Sequence, residues 1–519
     1  MWELVESVLH FKLFWITSFV FAIYFYLKFV TYNYFKKNDI PAEDSIIPFG
    51  SLLPMALGQK CIGHLIKESY DRHKKHPFHG LYMLHTPELI INDPDLIRLI
   101  LVKDFNYFQD RGLHFNKELD PLSAHLFFLP GEEWKHLRSK LSPTFTSGKI
   151  KQFFPLMEKI GKDLTRELDI CVQKSNTVEI KDLMGRFTTD MISSIAFGLE
   201  SNSLQNPNTD FRVYGKKSLD THPVKAIFGF FWSRFLDILR VPFTPKDVTH
   251  FFQTVFSDVI DHRRKNNTVR KDFLNLLIQL IDHGEVERDE QTNNSQKKQQ
   301  SAKIADTISM SAACAQSFVF FIAGFETSSS TTTYCLHELA QNLEIQEKLR
   351  KEINSTLGGR NTLTYEDIQG ISYLDKVVSE TLRKYPILPI LNRICLKDYQ
   401  IPNSNFYIKK GMKIIIPVLG LHNDPNIYPN PEEFRPERFD SDQVAKRNSF
   451  AYLPFGEGPR ICIGKRFGLL QVKVALIKIL TEFKITICEK TEIPLKPTKR
   501  NILIMPESDV FLRVERLIK

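Results

Sequence analysis

The first hydrophobic feature along the chain is an uncharged run, Leu13–Leu27 (LFWITSFVFAIYFYL). It is shorter than the roughly 20 residues an α-helix needs to cross a bilayer, but its flanks extend it. Lys12 and Lys28 can carry their ammonium groups to the interface, and Phe29, Val30, Tyr32 and Tyr34 continue the apolar and aromatic character. The pattern predicts a membrane anchor over residues 1–35. Bulky side chains such as Tyr24, Phe25, Tyr26 and Phe29 leave no small-residue cleavage site, which favours an uncleaved anchor over a signal peptide. Glu3 and Glu6 precede the run, and Lys28, Lys36 and Lys37 follow it. That asymmetry predicts that the rest of the chain faces the cytosol. Residues 36–55 read as a linker interrupted by Pro41, Pro48 and Pro54.

Farther on, Leu81–Asn92 (LYMLHTPELIIN) reads as two short strands around a turn at Thr86-Pro87. Helical periodicity dominates from Pro94 to Leu280. Glu285–Lys303 is rich in Asn, Gln and Lys and reads as an exposed loop. A long, largely uncharged helical run spans Ile308–Ala340, and strand signals such as Lys413–Leu419 (KIIIPVL) appear after Asp398. There is no internal repeat. The pattern predicts a mainly α fold with a minor β part, residues 56–519 forming one large domain.

Composition narrows the possibilities. The 519 residues are 43% hydrophobic and 25% charged, with a formal net charge of +9. That excess suits an anionic membrane surface or an acidic protein partner. No dense basic tract interleaves with aromatics, so nucleic acid is not an expected partner. The cysteines are Cys61, Cys171, Cys314, Cys335, Cys395, Cys462 and Cys488. They contain no Cys-x-x-Cys pair, which points to a reducing compartment without a disulfide framework. His73, His76 and His79 lie among Arg72, Lys74, Lys75 and Pro77 without Cys or carboxylate neighbours, and read as a solvated basic loop. No Gly-x-Gly-x-x-Gly or P-loop marks a nucleotide site.

The densest chemical signal is Phe455-Gly456-Glu457-Gly458-Pro459-Arg460-Ile461-Cys462-Ile463-Gly464, which runs into a helical pattern from Lys465. Gly456 and Gly458 permit a tight loop with positive φ. Gly464 lets backbone approach a flat cofactor. Cys462 sits at a helix start, where free N–H groups favour a thiolate that can ligate a metal. Arg460 can pair with an anionic cofactor group, and Phe455 can shield the sulfur.

This stretch resembles the haem-binding loop of the cytochrome P-450 superfamily at every defining position. The resemblance covers nearly the whole chain, and its motifs fall in the family's order. It implies that Cys462 is the axial sulfur ligand to haem iron. Ala323-Gly324-Phe325-Glu326-Thr327-Ser328 is similar to the family's oxygen-activation motif. Gly324 is expected to leave room for dioxygen, and Glu326 and Thr327 to manage protons. Trp134 and Arg138 match a Trp-x-x-x-Arg pair that bonds a haem propionate. Arg393 falls where the family has another propionate arginine, and Arg111 is a further candidate. Glu380 and Arg383, joined by Arg438 of Pro436-Glu437-Arg438-Phe439, are expected to be structural. ETLRKYPILPILNR and PVLGLHNDPNIYPNPEEFRPERF look most like the insect xenobiotic-metabolising microsomal branch.

The resemblance implies a membrane-anchored haem monooxygenase at the endoplasmic reticulum. Its substrate would be a lipophilic small molecule. Electrons would come from an NADPH-dependent cytochrome P-450 reductase, with cytochrome b5 as a second donor. Lys465, Arg466 and Lys473, with Lys135 and Lys140, are expected on the surface nearest the sulfur. Phe115, Phe318, Phe320 and Phe321 are candidates for the pocket wall. Two other readings are a haem-thiolate isomerase or dehydratase and a haem-binding sensor. The Glu326–Thr327 pair counts against both, since neither needs a proton supply to dioxygen.

Overall fold

The computed structural model describes residues 2–220, 233–286, 307–360, 362–499 and 501–518, with Lys225, Ile227 and Gly229 between the first two spans. The expected polar loop therefore lies outside the described residues from 287 onward. Helix α1, Trp2–Tyr26, continues as a π-helical turn, Leu27–Thr31, past both flanking lysines. Val5–Lys37 is long and apolar enough to cross a membrane, and 0% of its most apolar window is covered by protein.

Residues 36–55 do not hang free. They lie along the edge of a sheet formed by β1, Phe78–Met83, and β2, Thr86–Ile91, which follow helix α2, Ile62–His73. Glu43 N–H donates to Gly80 O (2.9 Å), Gly80 N–H to Pro41 O (2.8 Å) and Ser51 N–H to Tyr82 O (2.7 Å). Phe35 is 1% exposed because it sits where Gly80 has no side chain; a Cβ there would lie 2.4 Å from the Phe35 ring. The turn between the strands is at Leu84-His85, with Leu84 at φ 55°, and not at Thr86-Pro87. Pro87 fits inside β2 because the parallel strand on its other side, Lys413–Ile416, pairs only from Glu88 onward, so its missing N–H is not required there.

The histidine cluster also departs from expectation. His79 is wholly buried on β1, with Nε2 2.7 Å from Ser69 Oγ and Nδ1 3.0 Å from Asn92 Nδ2. Burial holds its pKa down to about 3. Its ring stacks on His73 at 4.6 Å, and Glu43 reaches His73 Nδ1 at 3.1 Å. Glu43 thus supplies the carboxylate that the local sequence lacked. The stacked rings and the two occupied His79 nitrogens make this a hydrogen-bonded strut. Arg72 completes it by gripping Glu43 through two bonds of 3.0 and 2.7 Å.

The remaining elements build a helical body: α3 (Gly131–Leu141), α4 (Ser147–Lys174), α5 (Ile180–Ile192), α6 (Asp210–Leu219), α7 (Met310–Gln341), α8 (Ser372–Lys384) and α9 (Lys465–Glu482). The strands β3 (Thr177–Glu179), β4 (Leu391–Ile394), β5 (Lys413–Ile416), β6 (Phe483–Thr486) and β7 (Phe511–Arg516) are short. One sheet runs β1-β2-β5-β4 with β2 and β5 parallel; another runs β3-β7-β6. The predicted helical stretch 94–280 is broken: residues 104–130 hold only short 3-10 turns, and β3 interrupts it again. Gly112 at φ 68° and Pro121 redirect the backbone there. The predicted strand 413–419 ends at Ile416, since Pro417 offers no N–H and Val418–His422 turns helical.

Helix α7 is the axis of the core. Ser309 caps it by accepting the Ala312 N–H at 3.1 Å. Its 32 residues extend about 48 Å at 1.5 Å per residue. It passes the same length and hydropathy test as the N-terminal helix, but protein covers 50% of its apolar window. Helix α9 crosses it closely: Gln471 Nε2 lies 3.5 Å from Gly324 O, and a Cβ on Gly468 would lie 3.8 Å from Ser328 Oγ.

Behind this crossing lies a buried ion network. Glu380 and Arg383, both 0% exposed, pair through bonds of 2.7 and 3.0 Å. Arg438 Nε reaches Glu380 Oε1 at 3.2 Å, and Arg435 N–H donates to the same oxygen at 3.0 Å. Replacing Glu380 with Gln leaves two guanidinium groups buried without a counter-charge. The expected loss of stability is about 3–5 kcal/mol, read as a lower denaturation midpoint. A midpoint close to that of the parent protein would show that the network is not structural.

Candidate active site

The Cys462 loop folds as its glycines require. Gly456 and Gly458 have φ of 69° and 75°, and a Cβ on Gly458 would lie 2.0 Å from Leu101 O. Cys462 N–H donates to Phe455 O at 2.9 Å, closing the loop around the half-buried Phe455. Helix α9 begins three residues later, with Gly464 at its N-cap. A side chain on Gly464 would meet nothing within 4 Å. Cys462 keeps accessible surface while Arg460 and Phe467 on either side are buried. Its electrostatics are less one-sided than the helix-start argument suggests. Burial pushes the thiol pKa up, while the Gly464 N–H and the charges of Arg111, Arg138 and Lys465 pull it down. Burial wins in the protein alone, so a thiolate here needs a further positive partner such as a metal ion.

Around this loop the chain gathers an excess of buried positive charge. Arg393 on β4 is 1% exposed and Arg460 2% exposed. Arg460 Nη2 donates to Leu129 O at 2.9 Å and approaches Asp110 Oδ1 at 3.3 Å, and its guanidinium lies 4.1 Å over the Trp134 ring. Arg111 rests 4.0 Å over the Phe127 ring and donates to Arg460 O at 3.4 Å. Arg138, half-buried on α3, feels the Cys462 sulfur. Burial and mutual repulsion hold Arg111 down to about 10 and Arg460 to about 9, and push Arg393 well below the ordinary range. Arg111 Nε, Arg393 Nε and both Nε and Nη1 of Arg460 are buried without a hydrogen-bond partner. Three neighbouring cations with unsatisfied N–H groups demand an anion. Sequence reasoning underrated Arg111 and missed Asp110, whose Oδ1 also accepts the Gly131 N–H at 2.7 Å. The signal was present in the adjacent acid and base of Asp110-Arg111.

On α7, Ala323 is exposed although Phe321 and Phe325 on the same helix are buried, so one face stays open at mid-length. Thr327 donates to Ala323 O at 2.5 Å, bonding to backbone one turn back. Glu326 accepts from Ser330 Oγ at 3.0 Å. Burial raises its pKa, opposed by that bond and by Lys181, Arg212 and Lys216. Gly324 does not open space where it was expected to. A Cβ there would lie 2.4 Å from Ile192 Cδ1, so the glycine lets α5 press against α7. Of the four phenylalanines proposed as pocket wall, Phe318, Phe320 and Phe321 are buried core, with Phe320 packed 4.6 Å from Phe273. Phe115 instead lines a cavity with Leu113, Phe128, Leu236, Val241 and Phe243.

Comparison with known proteins accounts for this arrangement. The cytochrome P450 family model matches residues 47–514. A probable cytochrome P450 6a14 of Drosophila melanogaster is 41% identical over 498 residues, covering 94% of this chain and 96% of that protein. Cytochrome P450 6a2 of the same fly is 40% identical, covering 95% and 97%. Cytochrome P450 6A1 of Musca domestica is 37% identical, covering 95% and 96%.

The chain belongs to the cytochrome P450 family. It is a haem monooxygenase of the insect branch, with haem held through a cysteine thiolate. The residues present fit that group. Cys462 offers a sulfur with open surface, Gly464 leaves a face free of side chain, and the arginine N–H groups lack the two carboxylates that haem carries. Arg111, Arg138, Arg393 and Arg460 could hold the propionates of this P450, with Trp134 packed beneath Arg460.

The arginine cluster has a testable cost. Replacing Arg393 with Met removes a repelled, unsatisfied cation and keeps an apolar stem. The haem-free protein is then expected to gain about 1–4 kcal/mol, while haem is held more weakly. Thermal unfolding without haem and haem transfer to apomyoglobin read the two effects. A haem-free protein made less stable by the change would rule out the cation-repulsion account.

Proposed function

We propose that this P450 inserts one atom of dioxygen into apolar small molecules, xenobiotics or endogenous lipophiles, and that Cys462 would supply the sulfur that holds the haem iron. Electrons come from a membrane-bound NADPH-dependent cytochrome P-450 reductase, with cytochrome b5 as a second donor. The α1 helix anchors the chain in the endoplasmic reticulum membrane, with residues 56–519 as the catalytic unit on the cytosolic face. The observation that carries the reading is the crossing of α9 and α7. It brings α9, which follows directly on the Cys462 loop, against α7 through Gln471 at Gly324 and Gly468 at Ser328, which supports a site shared by Cys462 and the open Ala323–Thr327 turn.

Haem, when bound, supplies oxygen activation. The chain supplies the rest. The arginine cluster would hold the carboxylates of the haem, and Trp134 and Phe455 would pack beside it. Glu326, a half-buried acid whose pKa is raised by loss of solvent, is suited to taking up and releasing a proton. Thr327 can turn its hydroxyl from Ala323 O toward the reacting oxygen.

Replacing Thr327 with Val keeps the shape and deletes the hydroxyl. NADPH is still consumed, but the expected product per NADPH falls and hydrogen peroxide rises. An unchanged ratio would remove Thr327 as the proton gate.

For the reductase, Lys465 and Arg466 are exposed at the start of α9, and Lys135 is exposed on α3. Lys140 is half-buried on the same helix. Lys473 does not belong to that surface. Its side chain is 7% exposed and pairs with Asp375 at 2.5 Å. Reversing charge at Lys465 and Arg466 is expected to slow electron delivery about tenfold at low salt, with the difference shrinking as salt rises. Stopped-flow reduction under carbon monoxide measures it, and equal rates at low salt would exclude this face as the docking surface.

A further inference from the structure

Residues 327–333 of α7 are all Ser or Thr. Thr327, Ser329, Thr331, Thr332 and Thr333 spend their hydroxyls on backbone carbonyls one turn back. Ser330 instead donates to the Glu326 carboxylate at 3.0 Å. One turn farther along the same face is Tyr334, 0% exposed, whose hydroxyl is buried with no hydrogen-bond partner. Its ring is fixed by stacking on Tyr385 at 4.1 Å and 6°. Helical side chains lean toward the N-terminus, which directs the Tyr334 side chain toward the turn that carries Ser330. Cys61 packs in the same apolar cluster as Tyr334. The Tyr334 hydroxyl feels the charge of both Cys61 and Glu326. Cys61 Sγ in turn lies 3.0 Å from Nδ1 of His64, which is half-buried at the head of α2.

A buried hydroxyl without a partner is costly and calls for an explanation. A water molecule needs two to four polar partners to be held inside a protein. We propose that Tyr334 Oη, Cys61 Sγ and the Ser330–Glu326 pair share a buried water, and that His64, Cys61, this water and Ser330 form a proton line that recharges Glu326, with Tyr334 holding the water in place. The inference rests on the proton role proposed for Glu326. At each step a group accepts one proton on a free lone pair and passes on the one it held. The net change is one proton lost by solvent at His64 and one gained by the Glu326 carboxylate. Lys181, Arg212 and Lys216 act on Glu326 with positive charge, which disfavours a proton approaching past them. Tyr334 touches no reacting atom, so it is a positioning residue that acts through Glu326.

The test uses the full-length, haem-loaded protein with reductase, comparing Tyr334→Phe, Ser330→Ala, the double variant and Glu326→Gln. Neither single change strands a protein partner at Tyr334, so the unfolding temperature and carbon monoxide spectrum should stay near the parent's. Product per NADPH should fall about tenfold, less than the roughly hundredfold or more that a directly acting acid supplies, and the solvent isotope effect on turnover should rise. The double variant should be no worse than either single one, since both cut one path. Parent-like coupling and isotope effect in Tyr334→Phe, with both altered in Glu326→Gln, would overturn the line and leave Glu326 in its role. Additive losses in the double variant would also overturn it. If Glu326→Gln is parent-like too, the proton role of Glu326 falls and the line with it. Should Tyr334→Phe fail to fold, Ser330→Ala carries the same comparison.

Discussion

The contact on which the rest of the site depends is the buried grip of Glu380 on Arg383 and Arg438. Its worth lies less in net stability than in what it connects. Arg383 donates to His422 O at 3.0 Å and Pro431 O at 2.7 Å, and Arg438 donates to Asn430 O at 2.6 Å. His422 Nε2 then accepts the Leu453 N–H at 2.8 Å, and Tyr452 OH donates to Ser379 O at 2.9 Å. The segment leading into the Cys462 loop is therefore pinned to α8 from both sides. A sulfur ligand is useful only if its position is fixed before the metal arrives, and an over-determined charge network fixes it.

The arginine cluster is the complementary case. There the protein holds like charges together without closing their hydrogen bonds, an arrangement unfavourable in the isolated chain and favourable once two carboxylates are present. The same logic holds for Cys462, where burial favours the thiol until a cation replaces its proton. Both features store affinity for the cofactor as electrostatic imbalance in the polypeptide.

Contiguous chemistry was legible in the sequence. The ten residues Phe455–Gly464 carry their own turn geometry, ligand and helix start, and the long apolar run predicted α7 to within two residues at its N-terminus and one at its C-terminus. Contacts between distant segments were not legible. Gly324 reads as local space until Ile192 of α5 is seen to fill it. His79 reads as solvated because its partners Ser69 and Asn92 come from separate stretches, as does Glu43, which holds the His73 ring stacked on it. Lys473 reads as surface because a lysine in a helix usually is, but α9 is enclosed on several sides and Asp375 of α8 neutralises it. Arg111 was legible only as a further candidate, because its neighbour Asp110 is visible along the chain but the convergence of Arg393 and Arg460 on it is not.

The packing of Phe35 over Gly80 has a mechanical consequence. Tyr32 OH adds a 2.7 Å bond to Leu84 O, and its ring lies 4.8 Å from Tyr82, so the exit from α1 is braced on the sheet edge by both aromatics. A body on a slack tether drifts through all orientations above a bilayer. A body on a braced stem cannot swivel independently of it. With α1 inserted in a bilayer, as proposed above, a thinner or thicker membrane that tilted the stem would rotate the whole body with it. Lipid thickness would then be a steering variable, setting which surfaces of the body dip toward the headgroups and which face the water.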